Sequence, residues 1–283
     1  MALVGPAKRE ILKKNLYYHK GYRTVDLFHA SRGCIYDCYP CAVRYLGGRG
    51  FRPRPIDRVV EELSQMDNNR LFIVDNSLAL DTEWEKVLFR AMIPLKKKWV
   101  SHTIEDNPEV LDLAAKAGAW YVYQAVFDTS DYIRNRIKRY HDYGIAVEGT
   151  ILLGLDNQTE DDIKCLIDFI LEIDLDLAEF TILAPFPHTK AYCDLLKQNR
   201  IFDFDWNHYN GGKVVYYPKH MSVDRLQELY HYAWDTYYKD EAQTLKMFNL
   251  LWKVRQRELD DGTHMSRRRD MSGESFGKKV INA

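Results

Sequence analysis

The sequence has no long apolar run, no strong net charge and few cysteines. Its 283 residues carry a formal net charge of −1, so no overall field draws the chain to nucleic acid or to a membrane surface. No stretch reaches the length of a membrane span, and Met1 to Lys14 contains no long apolar core of a signal peptide. Five cysteines do not make a disulfide framework. We therefore expect a cytoplasmic protein with no membrane span and no nucleic-acid partner.

Three of the five cysteines stand within eight residues, in the segment Cys34-Ile-Tyr-Asp-Cys38-Tyr-Pro-Cys41. Thiolates this close in sequence can converge on one metal centre, and cysteine thiolates are the usual ligands of iron–sulfur clusters. Cys165 and Cys193 lie far downstream in predicted helices. A cluster held by three thiolates keeps one iron open, and an open iron can bind substrate.

Two other interpretations of the cysteines remain at this point, a structural zinc site and three unrelated thiols. Structural zinc sites usually close with four ligands in paired Cys or Cys/His knuckles. The sequence has no second knuckle, and the nearest histidine, His29, falls on the preceding predicted strand. The pattern therefore favours an iron–sulfur cluster.

Short apolar strands alternate with amphipathic helices six times between Thr24 and Pro187. Such alternation predicts an α/β fold with a parallel sheet covered by helices. Six units are fewer than the eight of a closed barrel, so an open partial barrel and a flat doubly wound sheet are both compatible with the periodicity. In either architecture ligands bind at the carboxyl ends of the strands.

The chain divides into four predicted segments. Residues 1–23 form a basic, partly helical arm, and residues 24–189 form the sheet-containing core. Residues 190–258 form an aromatic-rich and helical extension that covers the core. Residues 259–283 contain almost no core-forming side chains and are predicted to be a flexible tail.

The cysteine spacing resembles the cluster-binding motif of the radical SAM superfamily. Further similarity to its cobalamin-binding branch lies in Ser31 to Cys34, Phe51 to Pro55 and Thr181 to Thr189. The resemblance implies a partial (β/α)6 TIM-like barrel with a C-terminal extension. The family usually has an aromatic residue before the third cysteine, whereas this chain has Pro40 there and Tyr39 one place earlier.

The resemblance also implies two cofactors and a set of contacts. Cys34, Cys38 and Cys41 would hold a [4Fe–4S] cluster whose open iron binds S-adenosylmethionine (SAM), and the reduced cluster would cleave SAM to a 5′-deoxyadenosyl radical. The residues that match the family's SAM contacts are Tyr39, Asp75, Asn76, Ser77, Gly149 and Gly154. Three of them, Asp75 to Ser77, follow a predicted strand and are equally compatible with helix capping.

The expected reaction is hydrogen abstraction from a small or medium organic substrate, leading to rearrangement, cyclisation, oxidation or epimerisation. Only about thirty residues precede Cys34, too few for a cobalamin domain, so we expect a relative that has the radical core alone. An external electron donor such as flavodoxin or ferredoxin is implied. Two alternatives remain: a non-catalytic cluster- and SAM-binding assembly protein, and a C-methyltransferase that uses a cobalamin protein supplied in trans. The motif identifies no catalytic side chain.

Overall fold

The computed structural model describes residues 6–9, 18–19, 22–23 and 26–263 of the chain. Ten strands are present in this part: β1 (Tyr18–His19), β2 (Tyr22–Arg23), β3 (Asp26–Phe28), β4 (Ser31–Arg32), β5 (Arg52–Pro53), β6 (Arg70–Ile73), β7 (Lys98–Ser101), β8 (Ala119–Ala125), β9 (Ala146–Leu153) and β10 (Leu177–Ile182). Six of them form one sheet in the order β10-β9-β8-β7-β6-β3, and every pair in it is parallel. β1 pairs with β2 and β4 pairs with β5, both antiparallel.

Nine α-helices accompany these strands in the described part of the chain: α1 (Val43–Leu46), α2 (Ile56–Gln65), α3 (Thr82–Met92), α4 (Pro108–Lys116), α5 (Asp131–Asp142), α6 (Glu160–Glu172), α7 (Lys190–Lys197), α8 (Val223–Tyr237) and α9 (Glu241–Asp260). Short side chains fix several helix starts. Asn107 accepts a hydrogen bond from Val110 N–H before Pro108 opens α4, and Thr159 and Asp162 form a reciprocal capping box on α6. Both arrangements satisfy amide groups that a helix start leaves unpaired.

The strand order across the sheet follows the order along the chain, with no reversal. Because crossover connections between parallel strands are right-handed, this order places the connecting helices on one face of the sheet. A doubly wound sheet would reverse direction at a switch point. The predicted partial (β/α)6 barrel is therefore confirmed.

The core lies between the sheet and these helices. Alternate strand residues such as Leu71, Ile73 and Phe180 are fully buried there. The Trp99 ring stacks on Phe89 of α3 at a centroid distance of 5.1 Å. The other face of the sheet is not covered by these helices, and its side chains point into the interior of the partial barrel.

Helix α9 packs at the amino-terminal ends of the strands. Val254 is fully buried against Val100 and Trp120, and the Trp120 indole N–H donates to the Leu250 carbonyl at 3.1 Å. Arg70 of β6 forms a bidentate ion pair with Glu258 at 2.7 and 3.0 Å. These contacts close the base of the barrel.

The position of α9 corrects the predicted boundary of the tail. Helical structure continues to Asp260, whereas the flexible tail was predicted to begin at residue 259. Lys98 of β7 pairs with Asp261, and Asn69 bonds to the Thr263 carbonyl at 2.5 Å, so residues up to 263 are anchored to the sheet. Residues 264–283 of the predicted tail lie outside the described part of the chain.

The predicted N-terminal arm is described only in part. Tyr18–His19 and Tyr22–Arg23 are short paired strands. Arg9 contacts Glu62 of α2 at 2.5 Å. No helix of the described chain is long and apolar enough to cross a membrane.

Two neighbouring leucines of α9 test how much its packing contributes to stability. Leu250 is 5% exposed and Leu251 is 45% exposed. We expect Leu250→Ala to lower the free energy of unfolding by about 2–5 kcal/mol, because it empties a packed site. Leu251→Ala should change it by less than about 1 kcal/mol. Urea unfolding monitored by circular dichroism measures both, and equal losses would contradict a base closed by α9.

Candidate active site at the carboxyl ends of the strands

A buried carboxylate joins the end of β6 to the chain just before the cysteines. Asp75 is fully buried, and its two oxygens accept hydrogen bonds from Ala30 N–H at 2.8 Å and from the Ser31 hydroxyl at 2.6 Å. The neighbouring Asn76 accepts from Gly33 N–H at 3.2 Å. Asp75 and Asn76 therefore hold the backbone that leads into Cys34.

The loop after the cysteines folds back on the same segment. β4 and β5 pair, and Gly50 N–H donates to the Cys34 carbonyl at 3.3 Å. Gly33 has φ of +84°, and a Cβ there would lie 2.3 Å from the Gly50 carbonyl oxygen, so only glycine fits. The Arg52 guanidinium donates to the Gly50 carbonyl at 3.1 Å and also to the Gly47 carbonyl.

All three cysteines of the motif are free thiols, with Cys34 half-buried and Cys38 and Cys41 exposed. Cys41 N–H donates to the Cys38 carbonyl at 2.8 Å. Burial raises the pKa of Cys38, and the charges of Cys41 and Cys34 raise it further.

The donor set fits a cluster with three protein ligands. A [4Fe–4S] cubane binds each thiolate through a different iron, so the sulfurs need not meet at one point. Among the described residues, no three His, Cys, Asp or Glu side chains are close enough together to hold a single metal ion. Three accessible thiols on one anchored loop supply the soft anionic ligands that a cubane requires.

A cavity of about 500 Å³ lies between the cysteine loop and the ends of β9 and β10. The loop follows β3 at one edge of the sheet, whereas β10 is the opposite edge, so the loop crosses the mouth of the partial barrel. The Tyr39 ring lies 5.9 Å from Lys190 Nζ at the start of α7. Residues lining the cavity include Pro40, Cys41, Leu152, Thr181, Phe186, Tyr209 and Gly211.

The other predicted SAM contacts, Ser77, Gly154 and Gly149, each have their own set of neighbours. Ser77 donates to the Thr103 carbonyl at 3.4 Å. Gly154 lies at the end of β9, where its carbonyl accepts from the Tyr216 hydroxyl at 2.5 Å. Gly149 lies on the helix-facing side of β9, since a Cβ there would be 2.4 Å from Leu175 Cδ2. Gly149 therefore serves packing on the face opposite to the cavity.

Sequence analysis missed a group of polar and aromatic side chains on the inner face of the barrel. The rings of Phe72, His102 and Tyr123 lie within 5.5–5.7 Å of one another. Glu148 of β9 approaches the hydroxyls of Tyr121 and Tyr123. Burial raises the pKa of Glu148 to about 7, and the charge of Glu179 contributes to this rise.

A signal for these residues does exist in the sequence. Strands buried on both faces read as continuous apolar runs, but β8, β9 and β10 carry polar residues at alternate positions, as in Glu148-Gly-Thr150 and Glu179-Phe-Thr181. That alternation predicts a second, polar face.

The comparisons with known proteins agree with this geometry. No protein-family model matches the chain. It is 24% identical over 267 residues to bacteriochlorophyllide d C-12(1)-methyltransferase of Chlorobaculum tepidum, covering 85% of this chain and 58% of that protein. It is 22% identical over 262 residues to anaerobic magnesium-protoporphyrin IX monomethyl ester cyclase of Cereibacter sphaeroides, covering 78% of this chain and 42% of that protein.

A solved structure with the same fold is the radical SAM methyltransferase TsrM of Kitasatospora setae, which contains cobalamin and a [4Fe–4S] cluster. It superposes with a TM-score of 0.56 at 16% identity, over 62% of this chain and 39% of TsrM. The chain is similar to proteins of the radical SAM superfamily. It spans about half the length of the curated relatives it matches.

The anchoring of the cysteine loop can be tested at Asp75. We expect Asp75→Ala to lower the free energy of unfolding by about 1–3 kcal/mol, because a buried amide and a hydroxyl lose their acceptor. Asp161→Ala, at an exposed position in the first turn of α6, is the control and should change it by about 0.5 kcal/mol or less. Chemical denaturation measures both, and an Asp75→Ala protein as stable as the control would contradict the anchoring role.

Proposed function

We propose that this chain is a radical SAM enzyme that binds one [4Fe–4S] cluster through Cys34, Cys38 and Cys41, binds SAM at the open iron, and abstracts hydrogen from a small or medium organic substrate. The observation that carries the proposal is the position of three free thiols on one anchored loop across the mouth of a six-stranded partial barrel, beside a cavity. Known relatives of the chain are radical SAM enzymes.

When bound and reduced, the cluster supplies the electron that cleaves SAM to methionine and a 5′-deoxyadenosyl radical. The chain's own residues hold the cysteine loop in place and line the cavity. Asp75 and Asn76 orient the lead-in to Cys34. The cavity beside Cys41 has a mostly apolar lining, which favours an organic ligand over water.

Among the predicted SAM contacts, the placements favour some roles over others. Asn76 and Ser77 remain proposed contacts of the SAM amino group, since both offer oxygen acceptors at the end of β6. Tyr39 and Gly154, at the mouth of the barrel, remain proposed neighbours of the adenine. For Asp75 we propose an indirect role through the loop, because both of its oxygens already accept hydrogen bonds.

The proposed outcome of hydrogen abstraction is rearrangement, cyclisation, oxidation or epimerisation. We also propose that an external donor such as flavodoxin or ferredoxin supplies the electron. The five free cysteines suit a reducing compartment, so we propose that the protein acts in the cytoplasm.

The comparisons support methyl transfer as a second candidate. One relative is named a methyltransferase, and the structurally similar TsrM is a methyltransferase with bound cobalamin. For this chain, the cobalamin would be carried by a protein supplied in trans. One product distinguishes the two candidates: methyl transfer from SAM leaves S-adenosylhomocysteine, whereas hydrogen abstraction without methyl transfer gives only methionine and 5′-deoxyadenosine from SAM.

The central test compares two cysteine variants after anaerobic reconstitution with iron and sulfide. We expect the wild-type protein to bind about four irons per chain and, when reduced with dithionite, to convert SAM to 5′-deoxyadenosine. Cys38→Ala should lose most of the iron and nearly all SAM cleavage, because it removes a cluster ligand. Cys165→Ala, at an exposed thiol on α6, is the matched control and should retain both.

Three results would count against the proposal. A colourless protein after reconstitution, or one that holds zinc without sulfide, would exclude the cluster. A cluster that binds SAM without cleaving it would favour the assembly-protein alternative. Iron retained fully in Cys38→Ala would exclude that thiol as a ligand.

A further inference from the structure

Two glutamates lie side by side on the inner face of the barrel. Glu148 of β9 pairs in register with Tyr123 of β8 and with Leu177 of β10. Glu179 follows Leu177 by two residues and therefore points to the same side of the sheet. The charge of Glu179 is one of the causes that raise the pKa of Glu148.

Neither glutamate has a positively charged partner in the described part of the chain. The ion pairs there do not include Glu148 or Glu179. Of the three fully buried glutamates in the described chain, two are ion-paired, and the third, Glu85, accepts a hydrogen bond from Glu105 N–H. Glu62 contacts both Arg9 and Arg54, and Glu258 contacts Arg70. The groups that approach Glu148 are the hydroxyls of two tyrosines, which donate hydrogen bonds but carry no charge.

An unpaired, half-buried carboxylate beside a second carboxylate is costly for the folded chain. An apolar side chain on the inner face would avoid that cost. The cost disappears when a cation binds between the carboxylates. The pair of glutamates therefore favours a positively charged ligand.

An aromatic wall adjoins the two carboxylates. The rings of Phe72, His102 and Tyr123 stack at centroid distances of 5.5–5.7 Å, and the hydroxyls of Tyr121 and Tyr123 are 3.5 Å apart. Ring faces attract cations, and aromatic residues combined with carboxylates form the usual recognition site for ammonium groups. This wall is an observation independent of the charges.

The two glutamates lie on the same strands and the same inner face as residues of the cavity at the mouth. Thr181 lies two residues beyond Glu179 on the same face of β10, and Leu152 lies four residues beyond Glu148 on β9. Both line the cavity that contains Cys41. At about 3.3 Å per strand residue, the carboxylates lie roughly 7–13 Å below that part of the cavity wall. A molecule that enters at the mouth can reach both levels at once.

We propose that Glu148 and Glu179, with the hydroxyls of Tyr121 and Tyr123, bind an ammonium group of the substrate. The substrate class is therefore an organic amine, with its cation held deep in the barrel and its reacting carbon nearer the cysteine loop. The inference rests on the proposed function, because it assigns the substrate of that reaction.

Three ring compounds of one size test the charge preference: benzylamine, benzyl alcohol and benzoate. We expect calorimetry on the reconstituted full-length protein to give at least tenfold tighter binding for benzylamine than for the other two. Equal affinities for the amine and the alcohol would overturn the proposal, and so would tighter binding of benzoate.

Glu148→Gln is the test variant, and Glu172→Gln is its matched control. Glu172 is on the outer surface of α6, where it pairs with Arg134 at 3.0 Å. We expect Glu148→Gln to weaken benzylamine binding at least tenfold and to leave benzyl alcohol binding unchanged, with no change in the control. Tyr123→Phe, which removes only a hydroxyl, should weaken benzylamine binding severalfold. Unchanged benzylamine affinity in Glu148→Gln would overturn the proposal.

Stability distinguishes a binding glutamate from a structural one. The folded pKa of about 7 for Glu148 is above its unfolded value, so ionising this carboxylate lowers stability as the pH rises from about 4.5 towards 7. Without ligand, Glu148→Gln should therefore have a higher Tm than wild type at about pH 8 and a similar Tm at about pH 5. A lower Tm for the variant at pH 8 would indicate a structural role and overturn the proposal.

Benzylamine affinity should also rise between about pH 6 and pH 8, as Glu148 loses its proton. The titratable groups on the inner face beside Glu148 are Tyr121, Tyr123 and Glu179. Tyr237 and Tyr238 of α8 lie on the helix-covered face of the sheet, against Phe180 and Ala178. Burial raises the pKa of each of these tyrosines above its ordinary value, so they stay neutral in this interval. An affinity that does not change with pH would contradict the role of Glu148.

The binding assays do not depend on SAM cleavage. If no 5′-deoxyadenosine forms but benzylamine binds selectively, the proposed reaction fails and the amine site stands. If 5′-deoxyadenosine forms in wild type and in Glu148→Gln while no selective amine binding is found, the amine site fails and the proposed reaction stands.

Discussion

One buried carboxylate links the fold of this protein to its cysteine loop. Asp75 follows the carboxyl end of β6, and both of its oxygens accept hydrogen bonds from the segment that leads into Cys34. A loop with several glycines and exposed thiols has little packing of its own. Its position therefore depends on hydrogen bonds to the rigid strand end, together with the β4–β5 pair and the Arg52 guanidinium. Without this connection, three cysteines close in sequence would not be held across the barrel mouth.

The two ends of the barrel are built from different interactions. At the base, α9 supplies apolar packing and fully paired charges, as Arg70 with Glu258 shows. Nearer the mouth, the inner face carries polar and aromatic side chains, and Glu148 has no ion-pair partner among the described residues. Buried charges left without partners lower stability. The distribution thus separates a region that stabilises the fold from a region free to bind ligands.

Much of the fold was predictable from local patterns, but the ends of elements were not. The six strand–helix alternations could be predicted because each strand and each helix has its own local apolar pattern, as in the helix Thr82–Met92. The end of α9 was misplaced because Arg255 to Asp260 contains few apolar residues and looked solvent-exposed. Its order comes from contacts with distant strands, including Arg257 donating to the Ala119 carbonyl at 2.8 Å. Gly149 shows a related limit: a glycine in a strand signals a close approach, but the sequence does not say from which face, and the structure places the Leu175 side chain against it.

By itself, the sequence determined the thiol donor set and the strand–helix alternation, because both depend on residues near one another along the chain. The cysteine spacing makes a shared cluster possible whatever the rest of the chain does. Only the tertiary structure decided that Asp75 is fully engaged, that the cysteine loop reaches the far edge of the sheet, and that Glu148 meets Glu179 and two tyrosines. Those contacts join residues about 30 to 150 positions apart, and no local pattern specifies which distant groups a packed sheet brings together.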